Sequence, residues 1–135
     1  MEALLNRYIL KLRVNGLQNC GLYGNVLLHE LFDRNDFRGT RLVQGYITLG
    51  EETCWHVWVE DEATNEKYDV ISRLATGNNA GFTYLYERPE SGAEEDDEVT
   101  AEFELYKSNK AEFWKKLSTP TKVKNFRAKM MKKLY

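Results

Sequence analysis

The stretch Thr53-Cys54-Trp55-His56-Val57-Trp58-Val59-Glu60, followed by the polar Asp61-Glu62-Ala63-Thr64 and then by Glu66-Lys67-Tyr68-Asp69-Val70-Ile71, decides how this chain folds. Trp55, Val57 and Val59 alternate with Cys54, His56, Trp58 and Glu60, the period of a β-strand, and the polar quartet separates that strand from a second one. A four-residue hairpin loop pairs Glu60 with Asn65 and sets His56 opposite Asp69. Directly opposed residues share a sheet face with Cβ atoms roughly 4.5–5.5 Å apart, within reach of a carboxylate holding one imidazole nitrogen. A loop of three or five residues would shift the register by one and separate the two side chains.

Upstream, Gly21-Leu22-Tyr23-Gly24-Asn25-Val26-Leu27-Leu28-His29-Glu30-Leu31-Phe32 repeats apolar residues at three- and four-residue intervals after the turn-like Asn15-Gly16-Leu17-Gln18-Asn19. Cys20 is thereby predicted to open a helix. Unpaired N–H groups and the positive end of the helix dipole favour thiolate over thiol there, and the same N–H groups can stabilise an oxyanion. A nucleophilic sulfur needs a proton-accepting imidazole, and an imidazole needs a third group to orient it. His56 and Asp69 supply both. Gln18 is a candidate oxyanion donor, and Tyr46, Trp55 and Trp58 are candidates to line a substrate groove.

These residues resemble a known family. The helix from Cys20 to Phe32, the run Gly39-Thr40-Arg41-Leu42-Val43-Gln44-Gly45-Tyr46, then His56-Val57-Trp58-Val59-Glu60 and Tyr68-Asp69-Val70 look like the core of the transglutaminase-like cysteine enzymes, with motif elements in order over residues 16–72. The resemblance implies Cys20 as nucleophile, His56 as general base and acid, and Asp69 as the orienting carboxylate. It further implies a hydrolase or acyltransferase acting on an amide or peptide-type bond through an acyl-enzyme: a thiol protease, amidase, deamidase or transglutaminase-like enzyme with a protein or peptide substrate. With nineteen residues ahead of Cys20, a minimal core is expected.

A catalytically inactive relative of this fold is the competing expectation. A cysteine on an amphipathic helix is often a small buried hydrophobe, and a strand histidine between tryptophans is often a packing residue. Metal is a further rival, because Cys54 and His56 share a strand face and Cys20 and His29 would add two ligands. Zinc sites show tighter paired spacing, and His29 lies on the reverse side of the helix from Cys20. No metal and no cofactor are expected, and a Cys20–Cys54 disulfide is disfavoured in a reducing compartment.

The remaining elements make an α+β fold with a small antiparallel sheet. Leu4, Leu5, Tyr8, Ile9 and Leu12 predict a helix over 2–14, residues 40–49 and 82–87 read as strands, and 72–81 reads as a loop. The chain has 135 residues, 42% of them hydrophobic and 30% charged, which predicts one domain over 1–135. Residues 90–98 form an acidic loop, and residues 101–134 carry a basic set of lysines interleaved with Phe103, Tyr106, Phe113, Trp114, Phe126 and Met130. Two amphipathic helices broken near Ser118-Thr119-Pro120 are expected there. In the inactive alternative those basic helices contact protein or nucleic acid, although the whole-chain charge of −2 argues against nucleic acid. No apolar run is long enough to span a membrane and no signal peptide is evident, so a cytoplasmic protein without membrane contact is expected.

Overall fold

A computed structural model describes residues 1–17, 20–49, 51–78, 80–87, 97–117 and 121–133. The chain divides into two compact units, Met1–Glu95 and Asp96–Tyr135. The first begins with α1 (Glu2–Val14) and α2 (Gly21–Arg34). It continues through β1 (Thr40–Leu49), β2 (Glu52–Asp61), β3 (Lys67–Tyr68), α3 (Val70–Thr76) and β4 (Thr83–Leu85). The strands form one antiparallel sheet in the order β3-β2-β1-β4, an α+β arrangement.

The apolar stripe expected on α1 is buried at Leu4, Leu5, Tyr8, Ile9 and Leu12, and that on α2 at Val26, Leu27, Leu28, Leu31 and Phe32. Helix α2 covers the sheet face that carries Val59 and its partner Tyr68. There the Phe32 and Tyr68 rings meet edge to face at 5.4 Å, and His29 Nδ1 bonds Thr40 Oγ1 at 2.9 Å. The opposite face carries Cys54, His56, Trp58 and Glu60, aligned with Ile47, Gly45, Val43 and Arg41 of β1. Trp58, Ile47 and Phe82 form its buried cluster, with Val43, Cys54, Ile71 and Tyr84 packed against it.

The hairpin register differs from expectation by two residues. Glu60 pairs with Lys67 and Val59 with Tyr68, because the Asp61 N–H donates to the Glu66 carbonyl at 2.9 Å and moves the four-residue loop to Glu62 through Asn65. Asn65 takes a left-handed φ of 58° there, which asparagine tolerates better than most side chains. A slip of two preserves side-chain parity, so Asp69 stays on the face of His56.

Strand β3 is also shorter than predicted. Asp69 is extended (φ −125°) and its side chain accepts the Ile71 N–H at 3.0 Å, capping α3, which takes Val70 and Ile71 from the expected strand and residues 72–76 from the expected loop. Gly77, left-handed at φ 82°, ends that helix.

In the second unit α4 (Asp97–Ser108), α5 (Lys110–Leu117) and α6 (Thr121–Lys133) replace the expected pair of helices. The additional break falls at Asn109, whose side chain accepts the Glu112 N–H at 3.1 Å and so starts a new helix. Tyr106, Phe113 and Trp114 pack edge to face at 5.1 Å centroid separations, and Arg127 of α6 lies over the Trp114 ring at 4.4 Å. Residues 90–96 of the acidic run lie outside the described residues. Among the described residues no helix is long and apolar enough to cross a membrane.

Gly45 is the tightest point of the sheet. A Cβ there would sit 2.5 Å from the Leu85 carbonyl oxygen and 2.6 Å from Trp58 Cη2, so β4 and the Trp58 ring both depend on its absence. Gly45→Ala is expected to lower stability by about 1–3 kcal/mol, the usual range for overpacking, read as a lower urea midpoint. An unchanged midpoint would show that neither the Leu85 carbonyl nor the Trp58 ring presses on this position.

Candidate active site

At the centre of the site is the Asp69 carboxylate, which has no exposed surface. Its Oδ1 accepts from Asn25 Nδ2 at 2.9 Å and from the Ile71 N–H at 3.0 Å. Its Oδ2 accepts from His56 Nε2 at 2.8 Å and from the Tyr84 hydroxyl at 2.8 Å. Burial pushes its pKa up, yet the bonds from His56, Asn25 and Tyr84 and the charge of His56 outweigh that cost and hold the carboxyl below its ordinary value. Asp69 is an ion at neutral pH.

An ionised partner fixes the chemistry of His56. A carboxylate only accepts, so Nε2 carries the proton toward Asp69 and the neutral ring keeps its lone pair on Nδ1. Trp58 stacks beside the ring with 6.1 Å between centroids and a 26° tilt, and Phe82 stands across it at 79°. The side chain keeps 14% of its surface exposed.

Cys20 occupies the N-cap of α2, as predicted, but its thiol is covered, with only 2% of the residue exposed. The sulfur rests over Gly24, where a Cβ would collide with it, and the Gly24 carbonyl accepts from the Tyr8 hydroxyl at 2.8 Å. Burial pushes the thiol up to about 12, and the charge of Asp69 acts in the same direction. The expectation that the helix terminus lowers this pKa is therefore overturned: desolvation exceeds the help of the backbone. Among the described residues the only side-chain hydrogen bond of His56 is to Asp69, so the thiol–imidazole bond of a poised triad is not made.

Asn25 escaped the sequence reading and ties the site together. Its amide nitrogen donates to Asp69 Oδ1 and, at 2.8 Å, to the Val57 carbonyl, while its oxygen accepts the Val70 N–H at 2.8 Å. One side chain thus joins the helix of Cys20, the strand of His56 and the cap of α3. A polar residue inside the apolar run from Leu22 to Phe32 was the available signal, since a buried amide is retained only with its bonds satisfied. Tyr84 also escaped notice, because a strand tyrosine gives no hint of its acceptor.

Glu60, the last residue of the His-x-Trp-x-Glu run, is a second sealed carboxylate. It accepts from Trp58 Nε1 at 3.0 Å, from the Tyr86 hydroxyl and from Arg41 at 3.1 Å, with Lys67 Nζ at 3.8 Å. Burial opposes its ionisation, but those donors and the Lys67 charge prevail and keep its pKa below the ordinary value.

The three aromatic groove candidates do not share a face. Trp58 is wholly buried beneath Tyr84, whereas Tyr46 and Trp55 pair with each other on the opposite side and are 5% and 9% exposed. Gln18 lies outside the described residues. Cys54 is half-buried, both cysteines are free, and among the described residues no group of three or more His, Cys, Asp and Glu is arranged to hold a metal. No family model, curated protein or solved structure matches the chain.

Replacing Asn25 by Ala strands the Val70 N–H, the Val57 carbonyl and one Asp69 lone pair, each worth about 1–3 kcal/mol when buried and unpaired. The variant is expected to lose more stability than Gly45→Ala under the same urea titration. A smaller loss would mean that water or another donor already serves these groups.

Proposed function

We propose that the first unit is a thiol-dependent hydrolase or acyltransferase acting on amide bonds of a protein or peptide. The observation that carries this reading is the 2.8 Å bond from His56 Nε2 to the buried Asp69 carboxylate, together with a cysteine at a helix N-terminus that feels the Asp69 charge. In the reaction, Cys20 gives its proton to His56 Nδ1 and the sulfur attacks the substrate carbonyl. The tetrahedral adduct collapses as His56 protonates the departing amine. Water or a second amine, deprotonated by His56, then releases the acyl group from the sulfur. Asp69 remains ionised throughout, holding the ring and stabilising its positive form.

With 2% of Cys20 exposed and burial pushing its thiol up to about 12, the resting arrangement is a closed one. Turnover requires substrate to admit the carbonyl beside Cys20 and bring the sulfur to Nδ1. Resting bonds in unliganded sites are often long and tighten on binding. The closed thiol is also the observation that favours the second reading, a fold of this kind kept as a binding module without turnover.

A peptide-based electrophile followed by mass spectrometry separates the two. The enzyme reading predicts an adduct on Cys20 at neutral pH, strongly reduced in His56→Ala and in Asp69→Asn, with the yield at Cys54 unaffected by either change. Adducts on Cys54 alone, or a Cys20 yield that rises only toward pH 12 and ignores His56, would support the binding module.

A further inference from the structure

We propose that α6 binds the phosphate backbone of double-stranded nucleic acid without reading its sequence. This second function belongs to the second unit and holds whether or not Cys20 turns over a substrate. Its starting point is charge. Helix α6 runs Thr-Lys-Val-Lys-Asn-Phe-Arg-Ala-Lys-Met-Met-Lys-Lys and contains six cationic residues and no carboxylate.

Four of the lysines are on the free side of the helix. Val123, Phe126 and Met130 are buried, 5%, 3% and 3% exposed, whereas Lys122, Lys124, Lys129 and Lys132 are exposed. At about 100° per residue Lys122, Lys129 and Lys132 fall within an arc of about 80°, and at 1.5 Å per residue they extend over about 15 Å. None of the ion pairs formed among the described residues uses these lysines. A phosphate strand advances about 3.4 Å per charge, so a row of this length faces about four phosphates.

Two other polyanions fit less well, for reasons visible in the same helix. A basic amphipathic helix that lies in a membrane surface must bury its apolar face among lipids. In α6 that face is already buried within the protein. Single-stranded nucleic acid is held by aromatic side chains on which bases stack. Here Phe126, Phe113 and Trp114 are 3%, 1% and 5% exposed, and Arg127 occupies the Trp114 ring. Lysines, with Asn125 and Ala128 and no aromatic ring, are left on the outside, and the regular backbone of a duplex is what such a row of charge recognises. The net charge of −2 belongs to the whole chain, whereas residues 97–133 carry ten cationic side chains against five carboxylates.

The test uses the full chain and fluorescence anisotropy with duplex DNA and duplex RNA of one sequence, from about 50 to about 200 mM salt. Binding to duplex is expected, with a slope of log affinity against log salt of about −3, the value for three to four neutralised phosphates. Reversal of Lys122, Lys129 and Lys132 to Glu, with unchanged circular dichroism, is expected to weaken binding at least about tenfold at the lower salt. Similar affinities for the DNA and RNA duplexes support recognition of the backbone alone. Absence of duplex binding at the lowest salt, undiminished binding by the reversed variant, a preference for single strands, or binding to anionic vesicles but not to duplex would each overturn the proposal.

Discussion

A carboxylate sealed from water is the constraint around which the first unit is organised. Desolvating an ion costs several kcal/mol, and Asp69 meets that cost with four donors drawn from four elements. Asn25 comes from α2, His56 from β2, Tyr84 from β4, and the Ile71 N–H from the first turn of α3. Each of those elements is thereby fixed relative to the others by the same oxygen pair. The hydrophobic contacts around Trp58 and along α2 supply most of the driving force for folding. They are non-directional, and the carboxylate supplies the alignment that they lack.

The same constraint sets the character of the site. An ionised Asp69 orients His56 with Nδ1 as its basic nitrogen, which suits a proton acceptor, and it also opposes a second negative charge on the nearby thiol. Cys20 is accordingly a neutral thiol, buried and resting over Gly24. On the proposed reading, the thiolate forms only as half of an ion pair with a protonated His56, and substrate binding is the step that brings the two together.

The sequence made some of this plain and concealed the rest for physical reasons. Helix α1, helix α2 with Cys20 at its start, and the β1–β2 pair were legible because apolar periodicity reflects burial on one face. The His56–Asp69 contact was anticipated from a register two residues off, and survived because parity, not exact pairing, decides which face a side chain occupies. Helix α3 was hidden: Val70 and Ile71 favour strands, and only the Asp69 cap and Gly77 mark a helix. The break at Asn109 was concealed in the same way by a single capping side chain. Asn25, Tyr84 and the high pKa of Cys20 depend on what lies across the fold, which local pattern does not encode.

The central claim is that Asp69 binds His56 through Nε2 and leaves Nδ1 as the base. Nitrogen-15 NMR of the labelled imidazole reads this directly once the ring is neutral. The account predicts a protonated Nε2 and an unprotonated Nδ1 for His56, a preference lost in Asp69→Asn. A neutral ring with its proton on Nδ1 in the wild-type protein would contradict it.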